Sequence, residues 1–218
     1  MTKNTPQKPT KPKDKYQEIK NHFQGVDLII YQAMKNIDFD QWFIPKKHKQ
    51  TSESYFQSLC SEIIGQQLSG ASANAINTRF KSLFPKNKIA AEKLLLIKDK
   101  KLREIGLSWA KASYVKNIAK AYLDKSVRFN DFEKMKNKKI ISELTTIKGV
   151  GPWTAEMFLI FTLGRKDVFS SGDLGLKKGL LKLYKLDQIN KETADKITKI
   201  WKPYRSFGSI TLWHSLTR

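Results

Sequence analysis

The chain has 218 residues, with 41 Lys+Arg against 20 Asp+Glu, a formal net charge of +21, and 40% hydrophobic residues. Such a mixture builds a buried core rather than a wholly disordered basic tail, and the length suits one compact domain or two small lobes. A single cysteine, Cys60, excludes a disulfide framework, a zinc ribbon and an iron–sulfur cluster on four thiolates of this chain, and points to a reducing, intracellular setting.

Residues 1–15, MTKNTPQKPTKPKDK, read as a solvated basic tail, with three prolines and almost no apolar side chain. The tail lacks arginine, against a mitochondrial presequence, and no secretory apolar region opens the chain. From Tyr16 the pattern is helical. Tyr55, Leu59 and Ile63, then Ala71, Ala75 and Ile76, recur at helical spacing, interrupted by Gly65 and Gly70. Two helices around a GQQLSG turn are therefore predicted within 54–80. Short helices follow at 94–97 and 101–105, then a longer one over 109–123. Residues 126–130 read as an extended link. Residues 134–145 form a helix that runs into Ile147-Lys-Gly-Val-Gly151, and Pro152 starts the next one. Residues 154–163 are apolar on nearly every side apart from Glu156 and Thr162, which predicts a buried central helix. Helices over 174–184, 191–201 and 204–216 complete an all-α fold of about ten helices. The most apolar stretch, Met157–Leu163, falls far short of the ~20 residues that span a bilayer.

The charge of +21 points to a polyanion, with nucleic acid first and an acidic membrane surface second. A lysine-rich surface with no such partner is the plainer alternative. The sharpest local signal is the hairpin at 147–151. Gly149 and Gly151 leave amide N–H groups uncovered beside a helix N-terminus, which makes a seat for phosphate. An ordinary helix corner using glycine as a cap has the same appearance. Asp173 stands directly before the helix at Leu174, where aspartate commonly caps. His22, His48 and His214 do not cluster with carboxylates at metal-ligand spacing.

Ile147-Lys-Gly-Val-Gly151 resembles the helix–hairpin–helix DNA-binding element. Downstream, Asp167-Val-Phe-Ser-Ser-Gly-Asp173 resembles the loop that ends in an aspartate in the helix–hairpin–helix (HhH-GPD) base-excision DNA glycosylases. Within that superfamily the chain is most similar to the 3-methyladenine DNA glycosylase II (AlkA-like) branch. Ile63-Ile-Gly-Gln-Gln-Leu-Ser69, Gly106-Leu-Ser-x-x-Lys111-Ala and Trp201-Lys-Pro-Tyr-Arg205-Ser agree with this. The likeness covers about residues 50–216 and does not include the amino-terminal β-domain of some members. Lys148 stands where the hairpin usually has proline, a change expected to alter its stiffness.

The resemblance implies a two-lobed helical fold with the cleft between lobes: one lobe around 54–140, a hairpin and catalytic region at 141–185, and N- and C-terminal helices forming the second lobe. It implies a monofunctional glycosylase that hydrolyses the N-glycosidic bond of alkylated purines of the 3-methyladenine and 7-methylguanine type and leaves an abasic site. Asp173 is the expected catalytic carboxylate, beside the cationic sugar that forms as the bond breaks. Trp153 takes the position of the Schiff-base lysine of bifunctional relatives, and an indole cannot form that adduct. Trp153, Trp213 and Met157 are expected at the base, since indole faces bind cationic rings well and a thioether packs on a base. Gln67 is expected to enter the duplex, with Leu68 as the competing wedge and Ser69 beside them. Lys148, Gly149, Gly151 and Thr154 are expected at phosphate. Arg205 is read either as a support for Asp173 or as a surface ion pair.

No cofactor is required on this reading. The carbonyls of Thr145, Ile147 and Gly149 match those that hold a sodium or potassium ion in the family. The partner is double-stranded DNA with alkylated bases, met by a monomer inside the cell, without a membrane. Two other readings stay open: a binding module that recognises lesions without chemistry, and a glycosylase for another lesion.

Overall fold

The computed structural model describes residues 14–43 and 50–217. Twelve α-helices follow one another in this part of the chain: α1 (Gln17–Val26), α2 (Leu28–Met34), α3 (Ser52–Gly65), α4 (Gly70–Ser82), α5 (Ala91–Leu96), α6 (Asp99–Glu104), α7 (Trp109–Leu123), α8 (Asn137–Leu144), α9 (Pro152–Met157), α10 (Leu174–Tyr184), α11 (Lys191–Lys199) and α12 (Arg205–Ser215). No strand occurs among the described residues.

The all-α expectation holds, with twelve helices rather than about ten, because residues 17–34 hold two helices that were not resolved individually. Asp27 breaks them apart: its side chain accepts from the N–H groups of Ile29 and Ile30, both at 3.1 Å, and so caps α2. The expected helix at 134–145 starts later, at Asn137, because a 3-10 turn at Phe129–Asp131 and its follow-on hydrogen bonds occupy the residues before it. That turn also closes the supposed extended link. The apolar helix after Pro152 changes pitch, with a π-turn over Phe158–Thr162. Of the expected tail, residues 1–13 lie outside the described residues. Asp14 pairs with Lys20 at 2.8 Å and Lys15 with Asp40 at 2.6 Å, so these two are attached to the folded body.

Two hydrophobic cores organise the helices. The first runs from Tyr55 to Val168 and draws on α3 to α9, with Phe56, Leu59, Phe80, Phe132 and Phe158 fully buried. The second joins Ile19–Phe39 to Leu176–Leu212, chain ends far apart in sequence, around the buried Trp201. Trp201 donates its indole N–H to the buried Asp27 at 2.7 Å, which ties α2 to the residues before α12. Phe43 and Trp213 pack against both cores. The loop over 164–173 crosses from one core to the other. Arg165 fixes its start by donating to the carbonyls of Phe132 and Met135, and Arg205 pairs with Asp167 through Nη2 and Oδ2 at 3.1 Å. Arg205 therefore supports the loop through Asp167, not through Asp173.

The candidate active site

Asp173 ends that crossing loop and begins α10. Its Oδ1 accepts from the Leu176 N–H at 2.7 Å, so the residue is a helix cap. It accepts two further hydrogen bonds, from Trp153 Nε1 to Oδ2 at 2.6 Å and from Trp213 Nε1 to Oδ1 at 3.0 Å. A carboxylate in contact with three N–H donors is fixed in direction, and a charged acceptor makes such bonds stronger than neutral ones. Oδ2 still has a lone pair without a protein donor. Asp173 is only 9% exposed, yet it lines an open cleft of about 580 Å³ with Gln66, Gln67, Gly151, Trp153 and Gly172.

Small residues make this convergence possible. A Cβ at Gly175 would stand 3.0 Å from both Asp173 Oδ1 and the Trp213 indole nitrogen, so any side chain there would press on the bond between them. Ser170 accepts from the Asp173 N–H through its carbonyl at 3.0 Å and donates its hydroxyl to Glu156 Oε2 at 2.5 Å. Burial, and then the nearby charge of Asp173, raise the Glu156 carboxyl above its ordinary range.

The hairpin contributes Gly149 and Gly151 to the same cleft. Val150 N–H closes it onto the Ile147 carbonyl at 2.9 Å, and Asn117 donates to the Lys148 carbonyl at 3.0 Å. Gly149 has φ +106°, and a Cβ there would fall 2.2 Å from the Tyr114 ring on α7. Only glycine fits both demands. Gly151 caps α9 in an extended conformation, with Pro152 in its first turn. Lys148 is exposed and does not line the cleft.

The GQQLSG turn forms the third wall. Gln67 adopts the left-handed region, φ 57°, and is exposed together with Leu68. Ser69 caps α4 by accepting from the Ser72 N–H at 3.3 Å. Lys111 Nζ donates to the carbonyls of Ile64 at 2.8 Å and Gln66 at 2.6 Å, which satisfies the end of α3 and holds the turn in place. Burial lowers the pKa of Lys111.

The structure places four further side chains as follows. Met157 is 4% exposed within the first core and does not line the cleft. Only the first turn of α9 reaches the surface, so one turn further on the chain is already beneath it. Thr154 is 3% exposed yet lines the cleft, and its hydroxyl accepts from Gln66 Nε2 at 2.7 Å, which braces the turn. The half-buried Trp213 ring is flanked by Trp42 and Phe161, at 6.5 and 5.8 Å between centroids, and presents its N–H to Asp173. Trp109 is 62% exposed in the first turn of α7 under Arg103.

Sequence reading assigned no role to Gln66, Tyr114, Glu156 or Ser170. Lys111 carried a family signature but no function. The adjacent Gln-Gln pair was the available signal for Gln66: one amide turns inward to α9 and the other outward.

No helix is long and apolar enough to cross a membrane, and no group of three or more His, Cys, Asp or Glu that could hold a metal occurs among the described residues. Residues 60–203 match the model of the HhH-GPD superfamily base excision DNA repair proteins. The chain is 30% identical to the DNA-3-methyladenine glycosylase of Saccharomyces cerevisiae, over 92% of this chain and 79% of that one. It is 33% identical to DNA-3-methyladenine glycosylase 1 of Schizosaccharomyces pombe, over 88% and 84%. Among solved structures, the S. pombe 3-methyladenine DNA glycosylase Mag1 in complex with abasic DNA superposes with a TM-score of 0.76 at 28% identity, covering 92% of this chain and 97% of that one. The DNA-3-methyladenine glycosidase of Bacillus halodurans gives 0.72 at 32% identity, over 91% and 88%.

Proposed function

The chain belongs to the HhH-GPD superfamily of base excision DNA repair proteins, and from that premise we propose that it is a monofunctional DNA glycosylase that excises alkylated purines from duplex DNA. The observation that carries this reading is the Asp173 carboxylate, held by two indole N–H groups at the wall of a cleft that also contains the hairpin glycines and the Gln67 turn.

The reaction follows from that arrangement. The amides of Gly149 and Gly151 and the charge of Lys148 grip phosphate on the lesion strand. The target nucleotide leaves the stack, and Gln67 or Leu68 fills the gap. Trp153, 41% exposed, stacks on the extruded base, and a ring carrying the positive charge of alkylation binds an indole face more strongly than a neutral one does. As C1′–N9 lengthens, positive charge grows on the deoxyribose. The fixed Asp173 carboxylate stabilises that charge and takes a proton from the water that adds at C1′. Trp213 works through Asp173, as a positioning residue.

Among the described residues none that lines the cleft is a lysine, so none of these offers an amine to attack C1′, and on this reading the product is an intact strand with an abasic site. The reaction needs no organic cofactor. A sodium or potassium ion on the carbonyls of Thr145, Ile147 and Gly149 would bridge the hairpin to phosphate. The Val150 N–H uses one lone pair of the Ile147 carbonyl and leaves the other for such an ion.

A duplex with a single 7-methylguanine tests the reading. Incubation with the protein should give strand breaks only after alkali. Breaks without alkali, together with a DNA adduct trapped by borohydride, would identify a lyase; no abasic site at all would leave a lesion-binding module.

A further inference from the structure

A second recess opens beside the Asp173 cleft, with about 340 Å³ of space between α3 and α4, within the usual range for small-molecule sites. The two share Gln66, Gln67 and Trp153, so the indole that faces the sugar site is also a wall of the recess. Glu62 is among its lining residues, one turn before Gln66. Its carboxyl has no hydrogen-bond or ion-pair partner among the described residues, and it is the only titratable residue in the lining. Each packed element presents uncharged groups to it: Ser61 and Gly65 from α3, Ala73 and Asn77 from α4, Trp153 from α9. A half-buried carboxyl without a partner has a cost to folding and no structural return.

We propose that Glu62 is a general acid for the departing base, acting where that base is an uncharged purine. This rests on the glycosylase reading above. A cationic base leaves unaided, because its ring already carries the charge that accepts the bonding pair. An uncharged purine needs a proton. In the step, the C1′–N9 pair moves onto the base, the Glu62 O–H proton passes to a purine ring nitrogen, water adds at C1′, and its proton leaves to Asp173 or solvent. Glu62 then regains its proton from solvent. Burial lifts the Glu62 carboxyl to about 7, so a substantial share carries the proton near neutral pH, as a general acid requires.

Single-turnover release of hypoxanthine and of 7-methylguanine, from otherwise identical duplexes, tests the assignment across pH 5.5–9. Wild-type hypoxanthine release should fall about tenfold per pH unit above ~7. Glu62→Gln should remove that slope and reduce hypoxanthine release ~10²–10⁴-fold more than 7-methylguanine release. Wild-type release of 7-methylguanine with none of hypoxanthine at any pH would overturn the acid and leave the alkylpurine activity standing. Equal losses on both bases in Glu62→Gln, with the slope retained, would make Glu62 merely structural. Release of neither base by the wild type would instead sink the glycosylase reading itself.

Discussion

Trp153 and Trp213, sixty residues apart in sequence and on different helices, meet at a single carboxylate: Trp153 donates to one oxygen of Asp173 at 2.6 Å and Trp213 to the other at 3.0 Å. The first indole is on α9, whose buried face belongs to the first core, and the second is on α12, whose buried face belongs to the second. Asp173 therefore sits where the two cores join, and its direction depends on their relative placement.

Trp153→Phe tests that dependence. The ring remains, and the N–H to Oδ2 is lost. A hydrogen bond to a charged group contributes ~1.5–3 kcal/mol, so base release should slow roughly 10–100-fold while duplex affinity changes little. Single-turnover rates and a binding titration separate the two effects.

Gly149→Ala addresses the hairpin. Its φ of +106° and the 2.2 Å approach to the Tyr114 ring oppose any side chain. Strain and overpacking together should cost at least about 2 kcal/mol, a fall in Tm of roughly 4–8 °C, with weaker duplex binding as the amides shift. Calorimetry and a binding titration measure both; an unchanged Tm would mean that the hairpin yields freely.

Lys111→Met removes the donor that caps the Ile64 and Gln66 carbonyls. The methylene stem is kept and the turn carrying Gln67 is released. Base extrusion should slow, read as a smaller fluorescence rise of 2-aminopurine placed beside the lesion, with base release reduced in parallel.

Glu62 gives a pH signature in stability. Burial raises its carboxyl from 4.5 to about 7, so between those values the folded chain holds a proton that the unfolded chain has lost. Wild-type stability therefore falls as pH rises through that window. Glu62→Gln should be more stable than wild type by at most about 3 kcal/mol at pH 8, at ~1.36 kcal/mol per unit, with the difference vanishing near pH 4. Melting curves at both pH values provide the check.

Much of this site was legible because its signals are local. The glycines at 149 and 151 announce a tight turn, Pro152 a helix start, and Asp173 a cap. Roles set by distant packing were not legible. Met157 and Thr154 lie in the stretch read as a buried helix, and the family likeness alone placed them at the site; α9 is buried beyond its first turn. No sequence signal marks Glu62, whose neighbours in the recess come from α4 and from Trp153. Trp109 shows the reverse, a large apolar residue that the first turn of α7 leaves outside the core.

Asp173→Asn gives the most direct measurement. The amide keeps the size of the side chain and an oxygen for the Leu176 N–H, and removes the charge. With a duplex carrying one 7-methylguanine, binding should persist within a fewfold while single-turnover base release falls roughly 10²-fold or more. Release at the wild-type rate would contradict a carboxylate acting on the sugar.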